Sequence, residues 1–587
     1  MKKWYVKNKK ANYKEIEEKF NISELLTRLL VNRDITDDEL IKSFIDPRVE
    51  NLHDPRLMKD VEKGAQIILN KIHSNKKIRI IGDYDVDGVI SSYILYVALQ
   101  RCGAEVDYEI PDRVKDGYGI NHDMIRKAKE DEIDTIITCD NGISAIEPIN
   151  YAKDIGLTVI VTDHHEVPFI EDELGKRKFI SSRADAIINP KQPDCTYKAK
   201  DLCGAGVAFK LIQVLYEESG ISKEECYSLI EYVAIATVCD VVDLIDENRI
   251  FVKQGLQMIS QTKNIGLRAL IKENQMEGKN ISTYHLGFIL GPCINASGRL
   301  DSAKKGLQLL ITKDPEEANE LAKELHELNQ ERKTMTLRSV EEAIELIETT
   351  DLKKDKVLVI YLPDTHESLA GIVAGRIKEY YHVPTIVITK TEEGAKGSGR
   401  SIEGYHMFEE LLKCRELLNK FGGHPMAAGL SLEEENISLL RRKLNQVTTL
   451  TEEDLLPKIY LDMQVPLDLI DYDFIDDLNK LAPFGKGNSK PLFGEKGIQV
   501  LRGSVLGKNK NVLKLRLISR KGNIFEGIYF GDIKIFEQLI IRKYGEHELE
   551  QLYQGTTDKV YLDLAFQPGV NDFNGNRSIQ LVIEDFR

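Results

Sequence analysis

Long apolar runs are missing from this chain. No stretch of its 587 residues approaches the roughly 20 apolar positions that a membrane-spanning helix needs, so a membrane is not an expected partner. An excess of positive charge is missing too. Lys+Arg total 80 against 95 Asp+Glu, a net charge of −15 at pH 7. That balance argues against nonspecific coating of a polyanion, although one local basic patch beside a metal site can still serve nucleic acid. The eight cysteines (Cys102, Cys139, Cys195, Cys203, Cys226, Cys239, Cys293, Cys414) never form a CxxC pair and sit in apolar contexts. A zinc site and a disulfide framework are therefore not expected, and a reducing cytoplasmic location is. The basic start, MKKWYVKNKKANYK, has no apolar segment behind it, so no signal peptide is expected.

What the chain has is length and one densely acidic turn. With 587 residues it exceeds a single hydrophobic core, and a prior of one domain per ~150 residues suggests about three or four. In Ile78–Ser91 an apolar run (Ile78, Ile80, Ile81) meets Gly82 and then Asp83-Tyr84-Asp85-Val86-Asp87-Gly88, before helical apolar spacing resumes at Val89. This pattern predicts a buried strand, a glycine-bounded turn and a helix start. Three carboxylates within five residues repel one another unless a cation sits among them. A solvated acidic turn is the plain alternative.

Residues 77–240 alternate strand and helix signals, from KIRIIG through DTIITCD and GLTVIVTD. Such alternation predicts a parallel, doubly wound sheet, whose sites lie beyond the carboxyl ends of its strands. Three of these strands end in carboxylates: Asp83/Asp85, Asp140 and Asp163. Asp163 leads into His164, His165 and Glu166. Adjacent residues on a strand point to opposite faces, so one histidine at most would ligate a given ion unless the strand has already ended. Asp240 closes an apolar helix (Tyr232–Cys239), and an acidic residue at a helix C-terminus opposes the dipole unless a cation relieves it. Asp243 and Asp246 read as loop and turn residues. Carboxylates plus imidazole without thiolate select Mn²⁺ or Mg²⁺ over structural zinc. Five such ligands suffice for two ions that activate water and clamp the oxygens in phosphoryl transfer.

DYDVDG, TCDNG (138–142), TDHH (162–165) and ATVCD (236–240) resemble the four motifs of the DHH phosphoesterases. The similarity to the single-strand-specific 5′→3′ exonucleases of that superfamily runs nearly end to end. It includes IPDRVKDGYGIN (110–121), GPCINASGRLDSA (291–303), GSGRS (397–401), FGGHPMAAG (421–429) and LAPFGKGNSKPLF (481–493). The resemblance implies Asp83, Asp85, Asp140, His164 and Asp240 as ligands of two ions, with Asp85 the bridge. It implies Asp87 as an orienting residue and His165 as the contact to the scissile phosphate or the proton donor to the leaving oxygen. Asp163 would hold a neighbouring imidazole or backbone group. Asp87 and Asp163 read equally well as helix or turn caps. In the second lobe, the DHHA1 domain, Gly422, Gly423 and His424 would grip the nucleotide. Ser398, Arg400 and Arg299 would surround a terminal 5′-phosphate, and Arg113 would reach the nucleic-acid backbone. PDTHESLAGIVAGRI (363–377) departs from the family pattern around Glu367–Ala370, so His366 is assigned a structural role only.

The expected architecture is α/β: two α/β lobes joined by a long helix, plus a C-terminal barrel of oligonucleotide-binding (OB) type. Residues 1–76 read as a helical brace, 77–312 as the catalytic lobe and 313–349 as the connecting helix. Residues 350–455 read as the second lobe and 456–587 as the barrel. Asp314 at the N-cap and Pro315 at the first helical position start the connecting helix. It reads as a strut, because its heptad register lapses around Glu331–Thr336. GSGRS reads as a short Gly/Ser/Arg turn, in which glycine admits the backbone and arginine can fork onto phosphate. Within 486–521 the basic residues are Lys486, Lys490, Lys496, Arg502, Lys508, Lys510, Lys514, Arg516, Arg520 and Lys521, and Glu495 is the one acid. That reversal favours single-strand contact. Phe484, Phe493 and Phe525 could stack bases, although core positions suit them better.

The expected activity is metal-dependent hydrolysis of single-stranded DNA from the 5′ end, releasing 5′-mononucleotides in DNA repair and recombination. A helicase and a single-strand-binding protein are candidate partners, and a monomer is expected. A phosphodiesterase acting on cyclic dinucleotides or short oligoribonucleotides is the alternative, against which the barrel argues. A non-catalytic DNA-binding scaffold is the other, against which the complete ligand set argues.

Overall fold

The computed structural model describes residues 2–171, 177–392, 394–507, 509–573 and 576–587. Two compact units divide the chain: Met1–Pro47 with Leu456–Arg587, and Arg48–Leu455.

In the second of these units, β1 (Ile78–Ile81), β2 (Val106–Glu109), β3 (Thr135–Cys139), β4 (Thr158–Thr162) and β5 (Ala186–Ile188) form one parallel sheet in the order β2-β1-β3-β4-β5. β1 and β3 are buried along their whole length, as strands covered by helices on both faces must be. The chain leaves β1 toward one edge and returns on its other side, so the topological switch point lies between β1 and β3, where α/β sheets open a crevice. Helices α1 (Val86–Arg101), α2 (Gly204–Glu218) and α3 (Ile230–Cys239) pack around one apolar cluster with β1. A buried ion pair ties the segment after Pro47 to this lobe. Lys210 Nζ lies 2.6 Å from Glu247 Oε1, both side chains are fully enclosed, and Glu247 also accepts the His53 amide at 2.8 Å.

Helix α4 (Gly291–Leu300) leads to α5 (Pro315–Thr349), whose 35 residues span roughly 50 Å. The Asp314 side chain caps it by accepting the Glu316 amide at 2.9 Å. Its early turns bury Ala318, Ala322 and Leu325 in the first lobe's core, and its late turns bury Ala343 and Ile347 against the second. The helix is thus a strut held at both ends. The second lobe is a mixed sheet of β6 (Leu358–Tyr361), β7 (Thr385–Thr391), β8 (Gly394–Arg400), β9 (Lys420–His424) and β10 (Ala427–Leu432), with α6 (Ala370–Tyr381) packed on it. The strand order is β9-β10-β8-β7-β6. GSGRS, expected as a turn, lies in β8 and continues into Ser401, while FGGH lies in β9. Their glycines are accommodated by antiparallel pairing rather than by a bend.

The remaining unit is a closed barrel. β11 (Phe493–Leu506), β12 (Val512–Ile518), β13 (Ile524–Tyr529), β14 (Tyr561–Phe573) and β15 (Asn576–Phe586) pair in the order β11-β12-β13-β15-β14, and β14 pairs back onto β11. That is the five-stranded ring of an oligonucleotide-binding fold. Helices Ile533–Tyr544 and Glu546–Gln554 intervene before β14. The expected brace over 1–76 divides at Pro47. Leu26, Leu29, Leu30, Ile41 and Phe44 join the barrel's core, and strand Lys3–Val6 pairs with Lys458–Leu461. Helix Val61–His73 joins the first lobe instead. Phe493 and Phe525 are buried in the barrel and Phe484 packs against them. Lys508 lies outside the described residues.

Replacing Lys210 by Ala should destabilise the Arg48–Leu455 unit by about 3–5 kcal/mol, because Glu247 is left buried beside no cation. The paired replacement Lys210→Met with Glu247→Leu should cost less, and chemical denaturation of both variants checks the order.

Candidate metal centre and phosphate-binding lobe

The turn after β1 is built by close packing. A Cβ at Gly88 would lie 2.4–2.6 Å from the Asp83 backbone, so only glycine lets the Asp83 loop fold over the start of α1. The Asp85 side chain caps α1 by accepting the Gly88 amide at 3.1 Å, and Asn295 of α4 accepts the Val86 amide at 3.1 Å. Beyond β3, Asp140 is held at φ 61°, a left-handed backbone that non-glycine residues adopt at a cost. Asn141 secures it by donating to the carbonyls of Ile81 and Cys139 and accepting the Ile120 amide. β4 ends at Thr162, so both histidines that follow lie on a loop, with ring centroids 4.4 Å apart. The rule that adjacent residues diverge does not apply once the strand has ended.

These turns bring the acidic side chains together. One ligand atom each from Asp83, Asp85 and Asp140 falls within a common 4.8 Å. The same holds for Asp140, His164 and His165, and for Asp87, His164 and Asp240. Asp140 is common to two of these groups; Asp85, expected as the bridge, belongs to one. His164 Nε2 lies 3.1 Å from Asp140 Oδ1, and its Nδ1 lies 3.8 Å from Asp240 Oδ2. Asp87 is occupied otherwise, accepting the amides of Gly204 and Ala205 at 2.5 and 2.8 Å, and so anchors the start of α2 under the cluster. Asp163 accepts the amides of Ile143, His164 and His165 and the His165 Nδ1 proton at 2.7 Å.

The electrostatics of this cluster call for cations. Burial and the neighbouring Asp85 push the Asp83 carboxyl up to about 8, and burial with Asp87 and Asp85 pushes Asp240 up to about 8. Asp140 is raised well above the carboxylate range, by burial first and then by Asp87 and Asp85. Asp83 Oδ1 and His164 Nε2 are buried without a hydrogen-bond partner among the described residues. Orphaned ligand atoms amid mutually repelling carboxylates fit divalent cations and little else. His165 is the exception: burial works to lower it, but the Asp163 carboxylate outweighs this and lifts it to about 9. Asp163 stays below its ordinary value, since the His165 hydrogen bond and charge overcome its burial.

A cationic row leads away from the cluster. The Arg113 guanidinium lies 4.0 Å over the Tyr84 ring. Arg299, pushed down to about 10 by burial and by Arg113 and Arg332, donates to the Ser368 carbonyl at 2.6 Å. In the second lobe Arg400 donates to Ser398 Oγ at 3.0 Å, and both abut Gly371 in the first turn of α6. Register places Arg400, Ala427 and His424 in one row across β8, β10 and β9, and Ser398, Gly429 and Gly422 in the next. Paired residues share a face, so Ser398 and Arg400 stand opposite His424 across a floor of Ala427 and Gly429, two strand spacings or roughly 10 Å wide. A Cβ at Gly422 or Gly429 would meet nothing within 4 Å, so the trough is open. Gly423, between them, is at φ 154°. His366 caps the turn before α6 and bonds Ser368 Oγ at 2.7 Å.

Several residues escaped the sequence analysis. Tyr118 donates to the Asp140 carbonyl at 2.9 Å and lies 3.2 Å from His165 Nδ1. Asn141 and Asn295 sit inside quoted motifs, which was the available signal. Arg332 on α5 gave none, because an arginine on a long polar helix is ordinary. It is lowered by burial and by Arg376, and so extends the cationic row. On the barrel, exposed Arg502 faces Arg516 directly across β11 and β12, a pairing of like charges that an anionic ligand relieves. Lys514 and Arg520 are engaged by Glu526 and Glu495.

Carboxylates and imidazole gathered at a switch point, with a row of arginines leading away from them, define a divalent-metal phosphoesterase. The chain matches the DHH family N-terminal domain over residues 77–237, the DHHA1 domain over 354–449 and the RecJ OB domain over 461–585. It is 37% identical over 555 residues to a single-stranded-DNA-specific exonuclease RecJ of Bacillus subtilis, covering 92% of this chain and 68% of that protein. To the RecJ of Escherichia coli it is 32% identical, covering 96% and 95%. The crystal structure of RecJ from Thermus thermophilus in complex with Mn²⁺ superposes with a TM-score of 0.81 at 26% identity, covering all of this chain and 79% of that one. The chain belongs to the RecJ family.

The raised carboxyls have a measurable consequence. Between the ordinary carboxylate value of 3.8 and about 8 the folded state holds protons that the unfolded chain has released. Stability they contribute is therefore present at low pH and lost as pH rises through 8. His164, lowered by burial, runs the other way. Metal-free protein should melt several degrees lower at pH 8.5 than at pH 6, and Mn²⁺ should raise the midpoint more at pH 8.5. Thermal melts with and without chelator check both.

Proposed function

We propose that this protein is a metal-dependent, single-stranded-DNA-specific exonuclease that degrades from the 5′ end and releases 5′-mononucleotides. The observation that carries this reading is the convergence of Asp83, Asp85, Asp140, His164 and Asp240, supported by RecJ relatives along nearly the whole chain. These five residues would hold two Mn²⁺ or Mg²⁺ ions, with Asp140 and Asp85 the candidates for a shared ligand. RecJ of Thermus thermophilus is known with each of these metals. Bound ions would supply a polarised water and neutralise charge on the scissile phosphate.

The remaining steps fall to side chains. Asp87 fixes the floor of the site through the α2 amides, and Asp163 fixes the His165 ring through Nδ1. His165, held near 9, is protonated at neutral pH, so its outer nitrogen can contact the phosphate and give a proton to the leaving oxygen. Arg299, Ser398, Arg400 and the first turn of α6 offer guanidinium, hydroxyl and amide groups to a terminal phosphate. Gly422, Gly423 and His424 form the facing wall and receive the end nucleotide, while Arg113 holds the backbone nearer the metals. End recognition of this kind gives the 5′ polarity. The barrel's basic strands hold the single strand, as oligonucleotide-binding folds do. A monomer in the cytoplasm, supplied with single strands by a helicase and a single-strand-binding protein during repair and recombination, completes the reading.

Asp85→Ala should cut hydrolysis of labelled single strands on the order of a thousand-fold or more, with strand binding retained. Wild-type rates in that variant would refute the site. Arg400→Ala should reduce the preference for 5′-phosphorylated over 5′-hydroxyl ends by about ten- to a hundred-fold, the worth of a charge-assisted contact. Competition digests of the two substrates measure it.

A further inference from the structure

Two large aromatic rings stand in solvent on the turn that precedes α4, with no role in the site described above. Tyr284 and Phe288 are stacked on one another, centroids 5.1 Å apart and planes 25° from parallel, and are 60% and 67% exposed. Their placement is rigid. Ser282 and His285 form a reciprocal cap at the start of this helix, and Leu286–Leu290 is a π-helical turn, a distortion that recurs at functional positions. That turn packs on the last residues of α3. Gly287 adjoins Val238, Cys239 Sγ contacts the Leu286 carbonyl at 3.6 Å, and a Cβ at Gly291 would lie 2.3 Å from Cys239 Sγ.

The residue after Cys239 is Asp240, so the ring pair is seated on the element that ends in a metal ligand. Past Asp240, Val241 is 58% exposed and held at φ 57°, a left-handed conformation that a β-branched residue adopts only under constraint, and Ile245 is 40% exposed. Scattered exposed side chains are ordinary; a strained valine, a π-turn and a stacked aromatic pair around one helix end are not.

We propose that Tyr284 and Phe288 form a base-stacking platform for single-stranded DNA, carried on the turn that packs against the helix end leading into Asp240. The bases of an unpaired strand offer the matching chemistry, flat π faces, and the platform shares its support with a metal-ligand candidate. Stacking of this kind ignores sequence but needs an exposed base, so it favours single strands over duplex. The platform presupposes the exonuclease reading above and adds positioning residues to it.

The test compares kcat/KM for a single strand of about 20 nucleotides with kcat/KM for a 5′-phosphorylated dinucleotide, which reaches one nucleotide past the cut and no further. In the Tyr284→Ala/Phe288→Ala variant that ratio should fall by roughly tenfold or more, through KM, and Phe288→Trp should restore it. The added tryptophan emission should be quenched by a normal strand and not by an abasic strand of equal length. An unchanged ratio, or equal quenching by both strands, would overturn the platform and assign the rings to another surface role. Failure of the wild-type enzyme to digest single strands would instead sink the exonuclease reading itself.

Discussion

Mutual repulsion among buried carboxylates is the constraint on which this structure depends. Asp83, Asp87 and Asp140 are each at most 3% exposed, Asp240 lies close to them, and the one nearby imidazole that is charged, His165, is already committed to Asp163. A protein gathers such a set only if something of opposite charge joins it, since an uncompensated buried carboxylate either takes up a proton or destabilises the fold. The upward push on all four of these carboxyls is that tension expressed as acidity.

The scaffold exists to hold the tension in place. Four of the acidic residues are fixed by backbone: Asp85 as a helix cap, Asp140 in a left-handed turn, Asp87 on the amides of α2, and Asp163 on three amides. The long helix then sets the second lobe against the first, and Arg299 crosses between them to Ser368. The acidic centre for cations and the Ser398–Arg400 pair for phosphate thereby sit in separate lobes joined by a strut, with Arg113, Arg299 and Arg332 between them.

The parallel sheet was legible because its strands are continuous apolar runs that end in aspartate, and the sheet's own logic collects strand ends. That logic, together with the DHH motifs, also singled out the side chains that the turns bring within 4.8 Å of one another. Which carboxylate two ions would share depends on a few ångströms of turn geometry and is not written in the motifs. GSGRS misled for a physical reason: Gly and Ser signal turns by conformational freedom, yet in β8 they serve to leave a trough bare between Arg400 and His424. The brace over 1–76 misled because helical periodicity says which face is apolar and not which core it covers. Arg332 was invisible, since its meaning lies in what is near it in space, whereas Tyr118 sat inside IPDRVKDGYGIN with no role that its type alone could assign.

The central claim is that these side chains together bind two divalent ions. Titration of the full chain with Mn²⁺, followed by isothermal calorimetry with electron paramagnetic resonance of the bound ion, measures this directly. Two ions per chain in the wild type, spin-coupled to one another and reduced to one or none by Asp140→Asn, is the result expected. A wild type that binds no Mn²⁺, or binding that is indifferent to Asp140, would contradict it.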